Sequence, residues 1–238
     1  MTARLELRGV GRVHGAGHTR VISLADVSFT LSRGELLAVM GPSGSGKSTL
    51  LALAGGLDRP TSGAVLVDGA DLATLSVAQR AALRRHEIGY VFQQYNLIDG
   101  LTAAENVALP LELDGTGRRA ATAAAVATLG DVGLAELAGR FPPELSGGEQ
   151  QRVAIARAVV GTRSLLLADE PTGALDSVTG EQTLRLLRSH CDDGGSALLA
   201  THDARFAAWA DRILFLEDGR LVDATAPPEP APLGEIAP

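Results

Sequence analysis

The sequence predicts an α/β fold in which a mainly parallel sheet is joined by an antiparallel β subdomain and a helical subdomain. Three observations lead to this prediction. The apolar runs SLLLA and SALLAT are typical of parallel strands that are covered on both faces. A glycine-rich loop, GPSGSGKST, stands between the strand-like run ELLAVM and a helical pattern. Residues 4–35 contain apolar stretches with turn signals, as antiparallel strands do.

The β elements and the first helix follow in order along the chain. Residues 4–35 are predicted as short strands interrupted by GRVHGAGHTR, and AVLVDGADL adds a strand that ends at an Asp-Gly turn. Together they predict an antiparallel flap on the core. The segment STLLALAGG is predicted as a helix that Gly55 and Gly56 stop, and IGYVF is a further strand candidate.

Helices are predicted in the middle of the chain. Thr102 begins one, with Glu105 three residues later as in a capping box, and Pro110 is expected to end or kink it. The alanine-rich segment GRRAATAAAVATLGDVG is a good helix former. Another helix is predicted from Ser146 through Val160.

Composition restricts the class of protein. A net charge of −7 and a pI near 5.2 argue against broad nucleic-acid binding, which needs a basic surface. The single Cys191 allows no intrachain disulfide, and the N-terminal segment lacks the apolar stretch of a signal peptide. No run of about 18 uninterrupted apolar residues occurs. We therefore expect a cytoplasmic protein whose membrane role, if it has one, depends on a partner.

Lys47 is the only lysine, although the chain contains 21 lysine and arginine residues together. Lysine has a compact ammonium group on a thin aliphatic chain, whereas arginine has a planar guanidinium group with several donors. Gly41, Gly44 and Gly46 allow consecutive amide groups to turn toward one anion. The pattern G-x-x-x-x-G-K-[ST] predicts that Lys47 reaches the β- and γ-phosphates of a nucleotide and that Ser48 ligates Mg²⁺. The alternative is a glycine-rich turn that merely precedes a helix.

Two carboxylates, Asp169 and Glu170, directly follow the predicted strand SLLLA. Because ligands lie beyond the carboxyl ends of strands in open α/β sheets, both are expected to face the phosphates. Asp169 is predicted to hold Mg²⁺ with Ser48. Glu170 is predicted to act on water as base or positioner. An ordinary acidic strand end is the alternative.

The segment LSGGEQQ predicts a second anion site, because a serine and two glycines at a helix start present N–H donors and a hydroxyl. One nucleotide does not need two such sites from one protomer. The simplest interpretation is that the segment completes the pocket of a second copy, so that ATP lies between two subunits. The residues expected to contact ATP in trans are Leu145, Ser146, Gly147, Gly148, Glu149 and Gln150.

On these residues the chain resembles the ATP-binding cassette (ABC) family, over nearly its whole length. The family's motifs occur in order: Walker A, Gln93, the signature LSGGEQQ, Walker B ending at Asp169 and Glu170, GALD ending at Asp176, and His202. The resemblance implies a P-loop NTPase core. It also implies an ABC nucleotide-binding domain over residues 1–225, with a helical subdomain at about 94–160, and a proline-rich tail over 226–238.

The resemblance further assigns roles to single residues. Gln93 is similar to the glutamine that senses Mg²⁺ and the attacking water, and it joins Ser48 and Asp169 as an expected Mg²⁺ ligand. His202 is similar to the histidine that binds the γ-phosphate, and Asp176 to a contact across the dimer. ATP is expected to contact His14, at a position where an aromatic commonly stacks on adenine, and Gly41, Pro42, Ser43, Gly44, Ser45, Gly46, Lys47, Ser48 and Thr49.

Several stretches, such as IGYVFQQYNLI and PTGALD, look most like bacterial macrolide-export, lipoprotein-release and cell-division ATPases. That likeness implies a dimer driving an integral membrane permease, in export or mechanotransmission, from the inner face of the cell membrane. The permease is expected to contact the region from Gln93 to Ile98, where Tyr95 and Leu97 are also bulky. No nucleic acid is expected as a partner.

Other classes of ATPase remain as alternatives. An ABC-type ATPase of DNA repair or chromosome maintenance would insert long heptad coiled coils between the two nucleotide motifs, and no sustained heptads occur here. A translation-linked protein would carry two cassettes, for which the chain has no room. A P-loop kinase would have no use for LSGGEQQ.

Overall fold

The structure, a computed structural model, describes residues 3–15, 17–173 and 177–225. The strands are β1 (Ala3–His14), β2 (Val21–Ser32), β3 (Leu36–Met40), β4 (Ser62–Val67), β5 (Ala70–Asp71), β6 (Ile88–Val91), β7 (Leu165–Asp169), β8 (Ser196–Thr201), β9 (Arg212–Glu217) and β10 (Arg220–Thr225). The helices are α1 (Lys47–Ala54), α2 (Val77–Glu87), α3 (Ala103–Leu113), α4 (Arg118–Asp131), α5 (Gly147–Val159), α6 (Ser177–Asp192) and α7 (Ala204–Ala207). The predicted tail at 226–238 lies outside the described residues.

The antiparallel subdomain is a four-stranded sheet in the order β2-β1-β4-β5. The prediction of short strands over residues 4–35 is wrong, because β1 and β2 are 12 residues long each. The register between them shifts around Gly9, which has a φ of 57°. A glycine at that position allows a bulge inside one strand, so β1 continues to His14, into the predicted interruption GRVHGAGHTR.

The second sheet has the order β10-β9-β3-β8-β7-β6 and is parallel from β9 to β6, with β10 antiparallel at its edge. Its central strands are buried on both faces, as the runs SLLLA and SALLAT predicted. The carboxyl ends of β3, β6, β7 and β8 open at one edge. Gly41, Gln93, Glu170 and His202 follow those ends within two residues and are therefore placed at the same edge.

Three apolar clusters hold the layers together. One joins α1 and the antiparallel sheet to one face of the parallel sheet, and Leu50 and Leu51 are fully buried in it. A second lies on the other face, under α6 and α7, and includes Leu184 and Leu187. The third belongs to the helical subdomain of α3, α4 and α5. The aliphatic side chains of these clusters fix α1, and with it the loop that precedes α1, against the sheet.

The predicted helices of the helical subdomain are confirmed. Thr102 caps α3 in a box with Glu105: the Glu105 N–H donates to the Thr102 hydroxyl, 3.2 Å away, and the Glu105 carboxylate accepts the Thr102 N–H at 3.0 Å. Pro110 does not end α3, which continues to Leu113, although the proline has no N–H to donate to the carbonyl of Asn106 one turn earlier. Among the residues described, no helix has the length and apolar character needed to span a membrane.

Candidate functional site

A polar cavity of about 450 Å³ opens at the edge where the parallel strands end. The glycine loop, the start of α1 and the end of β7 line it, as sequence reasoning predicted. Gln93, from the loop after β6, and Ser23, from β2 of the antiparallel sheet, also line it, and no local sequence signal indicates Ser23. The lining residues are Ser23, Ser43, Gly44, Gly46, Lys47, Ser48, Thr49, Gln93, Asp169 and Glu170.

Glycine is required at two positions of the loop. A Cβ on Gly41 would lie 2.1 Å from the carbonyl oxygen of Leu216, and one on Gly46 would lie 2.4 Å from that of Ser23. Gly46 also has a φ of 107°, in the region that favours glycine. The two glycines therefore let the loop approach neighbouring backbone closely, and Ser43, Gly44 and Gly46 of the loop line the cavity.

Lys47 begins α1, and its side chain is only 8% exposed. Its ammonium donates to two carbonyls of its own loop, Gly41 at 2.7 Å and Pro42 at 3.0 Å. A planar guanidinium does not fit this arrangement, because the stem passes through the loop and the charge sits in a space bounded by backbone oxygens. The structure thus gives the reason for the single lysine.

Asp169 ends β7 as a buried carboxylate. Burial raises the pKa of Asp169 above its ordinary value and Glu170 adds to this, whereas the Ser48 hydroxyl and Lys47 oppose the shift. Its Oδ1 atom is buried and has no hydrogen-bond partner. A buried oxygen without a partner is costly unless a cation meets it. The pair of Asp169 and Ser48 therefore suits a small oxygen-preferring cation.

The protein itself offers few metal ligands here. In the part of the chain that the structure describes, no group of three or more His, Cys, Asp and Glu residues is arranged to hold a metal. Mg²⁺ tolerates such a site, because it keeps several waters and is commonly held by one or two carboxylates together with substrate phosphates.

Glu170 lies between Lys47 and His202. Its Oε1 atom is 2.9 Å from Nδ1 of His202 and 3.9 Å from Nζ of Lys47. The Glu170 N–H donates to the Ala200 carbonyl at 2.9 Å, and its φ of 46° is strained for a residue with a Cβ. The fold holds this carboxylate, 12% exposed, in one orientation at the cavity.

His202 is 68% exposed and lines a smaller adjoining cavity of about 180 Å³ that also has Glu170 in its wall. The structure therefore brings His202 to Glu170 and not into the main cavity. Gln93, exposed in the loop after β6, does line the main cavity, as residues of the glycine loop do. Glu170 and Gln93 therefore line the main cavity, and His202 contacts Glu170 from the adjoining one.

The signature segment lies elsewhere. Ser146 caps α5: its N–H donates to the Glu149 carboxylate at 2.7 Å, and its hydroxyl accepts the Glu149 N–H at 3.4 Å. Leu145 is buried, and its carbonyl accepts from the side chain of Gln150 at 3.0 Å. None of residues 145–150 lines the nucleotide cavity. One chain therefore presents two possible anion sites at separate places. One is the glycine loop Gly41–Thr49 with Lys47, here called the cradle, and the other is the signature.

Several predicted contacts lack support from the described geometry. Gly41, Pro42 and Ser45 belong to the glycine loop but do not line the cavity. His14 is exposed at the end of β1, paired with Val21, and it does not line the cavity. Its stacking on adenine stays a prediction. Asp176, predicted to contact a second copy, lies outside the described residues.

The three bulky residues after Gln93 have different surroundings. Leu97 packs against the core of the helical subdomain, and the Tyr95 hydroxyl lies so close to Gly147 that a Cβ there would be 2.9 Å from it. Arg157 donates to the Tyr95 carbonyl at 2.8 Å and fixes the loop. Ile98 is 46% exposed. Of these three side chains, Ile98 is the one that offers most of its apolar surface to a partner.

Comparison with known proteins decides the family. The family model described as ABC transporter matches residues 24–173. The chain belongs to the ABC transporter family. A macrolide export ATP-binding/permease protein MacB from Rhodospirillum rubrum is 45% identical over 98% of the chain, and one from Salmonella typhimurium is 46% identical over 93%. The chain spans only about a third of the length of these relatives, 36% and 34% respectively.

Solved ABC cassettes have the same fold. The ATP-binding cassette MJ0796, in a dimeric post-hydrolysis state bound to ADP and Pi, superimposes with a TM-score of 0.89 at 39% identity. The alignment covers 94% of this chain and 99% of that one. The predicted family and α/β fold class are therefore confirmed, and the chain is an ABC ATPase domain with a P-loop core.

Proposed function

We propose that this ABC domain hydrolyses ATP between two copies of itself and drives a membrane permease, in export or mechanotransmission. The observation that carries the proposal is the separation of the two anion sites. The cavity contains the cradle, Asp169 and Glu170, whereas residues 145–150 lie outside it. A second copy, turned to face the first, supplies the missing signature to each cavity.

The related proteins support the same assembly. The similar cassette MJ0796 is described as dimeric, and the MacB relatives are described as joining an ATP-binding part to a permease. A chromosome-maintenance function lacks such support. The longest described helix between the two nucleotide motifs, α4, has 14 residues, far short of a coiled-coil arm. We propose that the domain acts at the cytoplasmic face of a membrane, held there by the permease; the description of the MacB relatives as ATP-binding/permease proteins supports this.

The chain's own residues account for each step of hydrolysis. The Lys47 ammonium leaves its loop carbonyls and binds the β- and γ-phosphates. Ser48, Asp169 and Gln93 would hold Mg²⁺, which neutralises phosphate charge when bound. The Glu170 carboxylate takes a proton from water as the water oxygen bonds to the γ-phosphorus and the bond to the ADP oxygen breaks. His202, 2.9 Å from Glu170, keeps that carboxylate oriented.

Replacing Ser146 with arginine tests the shared pocket. Ser146→Arg puts a long cationic side chain at the start of α5, so we expect ATP to bind the single chain normally but not to bring two chains together. Light scattering after size-exclusion chromatography with ATP measures the mass, and calorimetry measures the affinity. Ala127→Arg, on the exposed surface of α4, is the matched control. ATP-dependent dimers of Ser146→Arg would contradict the proposal.

A second pair of variants tests the permease contact. Ile98→Asp is expected to leave the isolated domain folded but to weaken its co-purification with the membrane subunit at least about tenfold, because a buried unpaired charge at an interface is costly. Leu97→Asp is expected to lower the melting temperature, because Leu97 packs in the core of the helical subdomain. Val126→Asp, on the exposed face of α4, is the control. Unchanged co-purification of Ile98→Asp would remove this residue from the contact.

A further inference from the structure

A cavity of about 500 Å³, distinct from the nucleotide cavity, lies between α5 and α6 beside the end of α4. This volume is in the range of pockets that bind small molecules. Arg152 of α5 and Arg185 of α6 line it from two sides. The ATPase mechanism uses neither residue.

Arg152 makes no hydrogen bond or close ion pair among the described residues, although its charge helps Ser146 to lower the pKa of the Glu149 carboxylate. Its Nε atom is buried and makes no hydrogen bond, and its guanidinium forms no ion pair there. The nearby Glu149 is already engaged by the N–H and hydroxyl of Ser146. By contrast, Arg163, which follows α5 and lines a different cavity, donates to the carbonyl of Val160 at 2.7 Å. A buried donor that finds no acceptor among the residues the structure describes is suited to an acceptor from outside.

The rest of the lining defines the ligand. Arg185 is 68% exposed and has only a 3.8 Å contact with Glu181. Asp131 also lines the cavity but pairs with neither arginine, so the lining itself has two cations and one carboxylate, while Glu149 and Glu181 lie near the arginines outside the lining. Leu186 adds an apolar wall. Guanidinium groups bind carboxylate and phosphate oxygens in paired hydrogen bonds.

We propose that this cavity binds a small oxyanion, a carboxylate or a phosphate ester with a compact apolar body, whose charged group contacts Arg152 and Arg185. The ligand would connect α5, which begins at the signature, to α6 of the core. Binding would therefore restrict the movement of the signature relative to the cradle and alter ATP turnover. Only this effect on turnover rests on the proposed function. The binding itself does not.

The test is calorimetric titration with benzoate and with phenyl phosphate, using benzyl alcohol as the uncharged control. All titrations use chains that carry Lys47→Ala, so that the probes gain nothing from the nucleotide cradle. We expect one or both anions to bind and benzyl alcohol not to bind. Binding of benzoate alone assigns carboxylates, and binding of phenyl phosphate alone assigns phosphate esters.

Variants then locate the site. Arg152→Gln and Arg185→Gln are each expected to weaken binding at least about tenfold, because each substitution removes one charge-assisted contact with the anion. Arg119→Gln, an exposed arginine of α4, is expected to change it less than about twofold. Circular dichroism shows which variants fold. One folded variant, Arg152→Gln or Arg185→Gln, is enough for the test. Absence of binding by both anions, or unchanged binding in a folded Arg152→Gln or Arg185→Gln chain, overturns the proposal.

Discussion

Replacing Glu170 with glutamine is expected to slow ATP hydrolysis at least about a hundredfold, the usual contribution of a positioned general base. The amide keeps the shape of the side chain but cannot take a proton from water. ATP affinity is expected to stay within about threefold of the unmodified chain, because Glu170 lies beside the cradle and its charge is not a phosphate ligand. Phosphate release and calorimetry measure the two quantities.

The same variant is expected to accumulate an ATP-bound dimer. If hydrolysis opens the closed pair, a chain that binds ATP but does not hydrolyse it stays closed. Its mass in ATP should double from the 24.5 kDa of one chain. Glu217→Gln, at the exposed end of β9, is the control and should turn over ATP normally. A Glu170→Gln chain that hydrolysed ATP at the normal rate would exclude Glu170 as the base.

Lys47→Ala is expected to weaken ATP binding by about tenfold to a hundredfold for each phosphate contact that is lost, since hydrogen bonds to charged groups contribute about 1.5–3 kcal/mol. The fold should persist, because in the structure the Lys47 ammonium contacts only carbonyls of its own loop and lies 3.9 Å from Glu170. Calorimetry with ATP measures the affinity, and thermal unfolding measures stability.

Lys47→Arg separates charge from shape. It keeps the positive charge, yet we expect it to weaken ATP binding nearly as much as Lys47→Ala does. The loop admits a narrow aliphatic chain with a compact ammonium but not a planar guanidinium. Arg20→Ala, on an exposed turn, is the control for loss of a cation. Normal ATP binding by Lys47→Arg would show that charge alone is required and would remove the explanation for the single lysine.

The parts of the site that sequence reasoning predicted are those with local signals. The spacing of the glycines around Lys47 and the carboxylates after an apolar run are patterns of adjacent residues, and the cavity contains both. The capping boxes that start α3 and α5 are similarly local. Ser23 had no such signal, because only the pairing of sheets and the close approach of Gly46 bring it to the cavity.

Some elements escaped prediction although signals existed. Ser76 and Gln79 form a capping box at the start of α2 that the sequence shows three residues apart. Asp218 and Gly219, both at positive φ, make the turn between β9 and β10 that an Asp-Gly pair indicates. Helix α6 is harder to predict from sequence, because Gly180 in its interior weakens the helical pattern. That glycine is explained by Phe206, whose ring would lie 2.9 Å from a Cβ.

The loop after Gln93 shows where sequence reasoning stops. Leu97 and Ile98 are adjacent and chemically alike, so their residue types predict the same role. Tertiary packing puts Leu97 against the core of the helical subdomain and leaves Ile98 46% exposed. Only the three-dimensional structure can therefore say which of the two is free to contact a permease.

The most direct test of the shared ATP site is to mix two inactive chains. Ser146→Arg has an intact cradle, and Lys47→Ala has an intact signature, so neither forms a complete site with itself. A mixed pair contains one complete site, made from the cradle of the first chain and the signature of the second. We expect ATP hydrolysis to be negligible for each variant alone and to rise at least about tenfold on mixing. Activity that stays at the sum of the two separate chains would contradict a site completed in trans.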